Sequence, residues 1–192
     1  REPWRAAAAL LWENGEPAPF APEPLREAWA ARINSPATSS VGRLFDAAAA
    51  LCGVCTHASY EGEGPMRLEA LAATGTGEAV ALPLTRDAHG VWRSDWAPLL
   101  PLLADTRRLA ADRAAAFHAS LAQALVDQAK RLRDETGIAR VGLTGGVFQN
   151  RVLAEAALGG LHAAGFDADL PCRLPVNDAG LSFGQVIEFL FQ

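Results

Sequence analysis

The chain has 192 residues, half of them apolar and 20% charged, with a formal net charge of −5. That length supports one sizeable core or one lobe of a larger protein, and a pI near 5.4 leaves no basic stripe for nucleic acid or an anionic membrane. No apolar run approaches the ~18 residues of a membrane span, and Ala6 to Leu11 is too short for a signal peptide and lacks a cleavage site.

In chain order, Glu2 to Trp12 reads as a helix with Pro3 in its first turn and Trp4, Ala8, Leu11 and Trp12 on one face. Asn14 to Pro24 is a proline-rich loop, and Leu25 to Ile33 a second short helix. Val41 to Leu51 repeats Val41, Leu44, Phe45, Ala48 and Leu51 at helical spacing. Cys52 and Cys55 follow as one C-x-x-C, with Cys172 far away. A structural zinc site needs four ligands, so these are expected to be small buried or half-buried thiols in a reducing cytoplasm. Tyr60 to Gly64 is a turn, and Pro65 opens a helix through Ala73.

Ala79 to Leu84 and Val91 to Arg93 read as a hairpin around Asp87-Ala88-His89-Gly90, followed by a short helix from Trp96 to Ala104. The longest helix is predicted over Thr106 to Glu135, with Leu109, Phe117, Leu121, Leu125 and Leu132 as its buried stripe and Gly137 as its stop. Then come a strand, Ala139 to Leu143; a helix, Gln149 to Ala164, stopped by Gly165; a strand, Asp169 to Cys172; and a helix, Ala179 to Phe191. The expected organisation is a helical region (1–73), a hairpin-containing region (74–105), and a long helix with an αβαβα unit (106–192). The fold class is helix-rich α/β with few strands.

Strands joined through a helix pair in parallel, so the loops Thr144 to Phe148 and Leu174 to Asp178 belong at one sheet edge. Open α/β sheets bind ligands outside that carboxyl edge. Gly145 and Gly146 let the backbone approach a phosphate or sugar, and the next helix is expected to present free N–H groups; an ordinary tight turn is the plain alternative. Asn150 is expected to point its amide toward the same region. Asp178 is either a helix N-cap or a carboxylate aimed at a metal or metal-bound phosphates. Asp46 lies one turn after Gly42 on an apolar strip, either exposed or facing a ligand hydroxyl. Glu61 and Glu63 are expected as solvated turn charges. His57, His89, His118 and His162 show no ligand pairing; His118 and His162 are expected at the surface or satisfied in the core.

Five ordered blocks resemble the C-terminal region of the HypF carbamoyltransferase family of [NiFe]-hydrogenase maturation. They are Arg1-Glu2-Pro3-Trp4-Arg5, Asn34-Ser35-Pro36 through Ser39-Ser40-Val41-Gly42-Arg43-Leu44-Phe45-Asp46, Tyr60-Glu61-Gly62-Glu63, Leu143-Thr144-Gly145-Gly146-Val147-Phe148-Gln149-Asn150-Arg151, and Pro175-Val176-Asn177-Asp178-Ala179-Gly180-Leu181. The Gly-Gly-Val-Phe-Gln-Asn form favours that family over the related tRNA threonylcarbamoyladenosine synthases and antibiotic O-carbamoyltransferases.

The resemblance implies part of the second lobe of an actin-like (ASKHA, RNase H-like) fold. Its cleft receives carbamoyl-adenylate, made from carbamoyl phosphate and ATP with magnesium on a separate YrdC-like domain. The carbamoyl group then passes to the C-terminal cysteine thiolate in the tail of HypE. Carried over, Gly145, Gly146 and Asn150 border the nucleotide, Gly42 and Asp46 contact the ribose, and Asp178 is a ligand of a divalent metal, zinc or iron. No catalytic residue is assigned. Ala179 replaces the family's usual glycine, and the His-His-x-Ala-His metal motif does not occur in this sequence. With no methionine at Arg1, the chain reads as a piece of a cytoplasmic protein whose N-terminal lobe is its partner. The expectation is that the piece alone is inactive; the alternatives are a partner-docking or structural lobe, or a related O- or tRNA-carbamoyl-transfer protein.

Overall fold

The computed structural model describes residues 2–191. Helix α1 (Pro3–Glu13) buries Pro3, Ala7 and Ala8 against α3 (Val41–Leu51), whose Ala47, Ala48 and Ala49 are fully buried. Alanine on both faces lets the two backbones approach closely. Between them, α2 (Glu23–Ala30) starts two residues before its predicted position because Pro24 is accommodated in its first turn. Its Trp29 ring lies 5.5 Å from that of Trp12.

Helix α4 (Glu63–Ala72) begins two residues before Pro65, with Gly62 at φ 85° as its entry. After it, residues 75–82 form an extended strap along the long helix α6 (Ala110–Thr136) rather than the first half of a hairpin strand. The Thr76 N–H donates to Asp112 Oδ1 at 2.8 Å and the Val80 N–H to Ser120 Oγ at 2.9 Å, so the strap bonds to side chains of α6. The hairpin is correspondingly short: β1 (Leu84–Arg86) pairs antiparallel with β2 (Trp92–Ser94), Thr85 opposite Arg93. Asp87 closes its turn by accepting the N–H groups of His89 and Val91.

Helix α5 (Leu99–Ala104) buries four leucines in six residues. Helix α6 starts four residues later than predicted, and its stripe is narrower. Phe117 and Leu121 are buried, but Leu109, which precedes the helix as its N-cap, is 72% exposed, and Leu132, near the C-terminal end, is 50% exposed. Arg113 of α6 is buried and donates to the carbonyls of Leu51 and Leu103, at the ends of α3 and α5. Gly137 (φ 74°) stops α6 as expected.

Strand β3 (Arg140–Gly142), a 3-10 turn (Gly146–Gln149), α7 (Arg151–Ala163) and β4 (Asp167–Asp169) form the parallel unit. Its register sets Val141 opposite Ala168. β4 lies two residues before the predicted strand because Gly165 (φ 79°) turns the chain at once into pairing, with the Asp167 N–H donating to the Ala139 carbonyl. Helix α8 (Leu181–Leu190) follows, and Leu181, Phe183, Val186, Phe189 and Leu190 on it are exposed. Phe45, Leu68, Leu99, Phe117, Leu153 and Leu161 form the core shared by α3, α4, α5, α6 and α7. Among the described residues no helix is long and apolar enough to cross a membrane.

Candidate functional site

The two loops that leave the parallel pair do meet. The Gly145 N–H donates to the Val176 carbonyl at 2.7 Å, and the Thr144 hydroxyl donates to the same oxygen at 3.3 Å. Together with a face of α8 running from Leu181 to Phe189 they line an open cleft of about 740 Å³ that includes Thr144, Gly145, Pro175, Asn177 and Asp178. Gly145 sits at φ 114°, ψ 153°, a conformation essentially confined to glycine. A Cβ there would enter open space, and one on Gly146 would lie 3.9 Å from Asn177 Cβ. Gly145 thus lines the cleft with bare backbone, and Gly146 follows it beside Asn177.

The cap of the second loop is Asn177, not Asp178: Asn177 Oδ1 accepts the Ala179 N–H at 3.1 Å. Asp178 is exposed beside the cleft. Gly145, Gly146 and Asp178 thus share one edge.

Two sequence expectations on this edge are corrected. Asn150 does not aim its amide at the glycine turn. It is 8% exposed and caps α7, with Oδ1 accepting the Leu153 N–H at 2.9 Å and Nδ2 2.9 Å from Nε2 of His118. Nor does α7 offer a free N-terminus, since Glu69 of α4 accepts the Arg151 N–H at 2.7 Å. A carboxylate already occupies the place where an anion would be drawn. Glu69 lies 82 residues from Arg151, and no local signal reveals the pair.

Gly42 and Asp46 stand on α3, away from the glycine turn in sequence but linked to it through Phe45, whose ring is 5.2 Å from that of His118. Asp46 is neither exposed nor unpaired: it is 9% exposed and bound to Arg43 at 2.8 Å. Burial raises its carboxyl pKa above the ordinary value, with Arg43 opposing. Glu63, expected in solvent, is 4% exposed instead, because α4 begins at that residue and turns it inward. The Ser59 N–H and then Arg67 hold its carboxyl below the usual range. Cys52 and Cys55 are buried thiols as expected, and burial pushes Cys52 up to about 11. His118 and His162 are satisfied, the latter bonding the Ala168 carbonyl at 2.8 Å.

A sequence profile described as "Carbamoyltransferase, Kae1-like Domain, second subdomain" matches residues 1–185. The chain belongs to the HypF carbamoyltransferase family. It is 45% identical to the carbamoyltransferase HypF of Rhodobacter capsulatus over 97% of this chain and 25% of that protein. A HypF homolog of Cupriavidus necator is 37% identical, covering 96% of this chain and 52% of the relative. Among solved structures, full-length HypF in a phosphate- and nucleotide-bound form matches with TM-score 0.86 and 28% identity, over 97% of this chain and 26% of that one. HypF of T. kodakarensis matches with TM-score 0.79 and 26% identity, over 98% and 27%.

The chain thus spans about a quarter of the length of the R. capsulatus relative. The helix-rich α/β fold with its parallel pair is the HypF second-subdomain fold. A metal site is a different matter. Among the described residues no three His, Cys, Asp or Glu side chains converge, so Asp178 alone does not make a metal site within this HypF segment.

Proposed function

We propose that this chain is one wall of a carbamoyl-transfer cleft, in a cytoplasmic protein that carries the carbamoyl group of carbamoyl-adenylate to the C-terminal cysteine of HypE. The observation that carries the reading is the second-subdomain match over residues 1–185, with the loops after β3 and β4 bonded at one edge. In the transfer, the cysteine thiolate sulfur attacks the carbamoyl carbon. The bond from that carbon to the phosphate oxygen breaks, and AMP leaves with the electron pair, giving an S-carbamoyl cysteine.

The roles proposed for this chain are binding roles. Gly145 and Gly146 admit the nucleotide close to the backbone, and Gly42 and Asp46 meet its ribose. Asn150 shapes the turn from behind rather than touching the ligand. Asp178 supplies one ligand to a divalent metal whose other ligands come from outside this chain, with magnesium accompanying ATP where the adenylate is made. The first subdomain is the proposed cover for the apolar surface of α8, whose Phe183 and Phe189 are too exposed to be left in water.

In the full-length protein, Asp178→Ala is expected to lower S-carbamoylation of a HypE tail peptide by about 10–100-fold while peptide binding persists. Unchanged transfer would remove Asp178 from the proposed metal ligands, and loss of peptide binding alone would favour a docking lobe. Residues 1–192 by themselves are expected to give no turnover with carbamoyl phosphate, ATP and the peptide. One wall excludes no water from the reacting group, and measurable product from the isolated chain would overturn the split-cleft reading.

A further inference from the structure

The glycine turn is held from behind by a group on another element. His118 lies in the middle of α6, 1% exposed, with its ring edge-on to Phe45 and Phe117 at centroid separations of 5.2 and 5.7 Å. Its Nδ1 is 2.7 Å from the Ala114 carbonyl and its Nε2 is 2.9 Å from Asn150 Nδ2.

These contacts allow one assignment of protons. The Ala114 carbonyl only accepts, so Nδ1 carries the hydrogen and Nε2 is left as an acceptor. Asn150 must then donate its NH2 to Nε2, which leaves Oδ1 for the Leu153 N–H at the head of α7. A backbone carbonyl at one end and a backbone N–H at the other thus set the direction of both side chains. Burial favours the neutral ring that this arrangement requires and lowers the His118 pKa, against the opposing influence of the Ala114 carbonyl and of Glu69 on α4. Asn150 is where the turn ends: its own N–H donates to Val147, and the Phe148 N–H donates to Gly145.

We propose that His118 is a positioning residue for the nucleotide: through Asn150 it fixes the Gly145–Asn150 turn at the cleft edge without touching the ligand. The proposal rests on the reading above that this turn borders a nucleotide. Phe45, edge-on to the same ring, gives α3 and its Gly42–Asp46 segment a shared reference point with the turn.

The test uses the full-length protein and ADP as the probe, with deuterium uptake of the 143–150 segment followed during titration, so that only binding at this turn is read. His118→Gln keeps an acceptor where Nε2 stands, whereas His118→Asn reaches only as far as Nδ1. The expected result is a local ADP midpoint raised about tenfold in H118N and within about twofold of wild type in H118Q. Gly146→Val, which fills the turn itself, is expected to abolish ADP protection. If G146V abolishes it and H118N binds as wild type, the positioning role is overturned and the nucleotide reading stands. If H118N and H118Q weaken binding equally, in step with their melting temperatures, His118 is only a packing residue and the proposal falls. If G146V leaves ADP protection of the turn unchanged, the nucleotide reading itself fails and takes the proposal with it.

Discussion

Gly77→Ala is expected to destabilise the chain by about 3 kcal/mol, near the upper end for overpacking. The added Cβ would lie 2.3 Å from the Asp112 carbonyl oxygen, 2.5 Å from the Ala116 nitrogen and 2.8 Å from Ala116 Cβ. Backbone atoms of α6 stand in the way, and they cannot swing aside as the tip of a long side chain would. Gly77 does not have the left-handed φ that would itself disfavour alanine, so the loss is steric. Gly159→Ala is the matched control. That glycine lies inside α7 with nothing within 4 Å of its would-be Cβ, so alanine there is expected to stabilise by about 0.5–1 kcal/mol. At roughly 2–4 °C per kcal/mol for a chain of this size, thermal unfolding separates the two variants clearly. Equal melting temperatures would show that the strap can lift off α6.

Gly145→Ala in the full-length protein is expected to cut carbamoyl transfer by about 100-fold while costing about 1–3 kcal/mol of stability. Two effects act together. The φ of 114° is one that alanine reaches only under strain, and the new methyl projects into the open side of the turn, where the nucleotide is proposed to lie. The strain alone would appear as a lower melting temperature with an unaltered rate below it. The measurement is therefore S-carbamoylation of the HypE tail peptide at a temperature where both proteins remain folded. Full activity there would place the nucleotide elsewhere.

What could be read in the sequence is what periodicity and punctuation encode locally. Val41–Leu51 is helical from end to end, Gly137 and Gly165 stop their helices, and the strands flanking α7 are parallel. That parallel pairing alone brought residues 144–148 and 174–178 to one edge. The errors arose where a distant residue decides the outcome. Glu69 takes the α7 amide that the local pattern leaves free, and His118 turns Asn150 inward. Ser120 accepts the Val80 N–H that a strand would have used. The stripe on α6 departs from the pattern at Leu109 because the helix begins one residue later, and at Leu132 because spacing tells which face is apolar but not how far a neighbouring helix reaches along it.

Arg113 has a consequence for how the fold responds to its solvent. The salt bridges are largely at the surface, as with Arg107–Asp105 and Arg151–Glu155, where the arginines are 89% and 81% exposed. Such pairs weaken as ionic strength rises. The Arg113 guanidinium is shielded from salt by burial, and the carbonyls it joins, of Leu51 and Leu103, carry no net charge to screen. The meeting point of α3, α5 and α6 is therefore a joint set by geometry, which holds steady while the charged surface around it responds to salt.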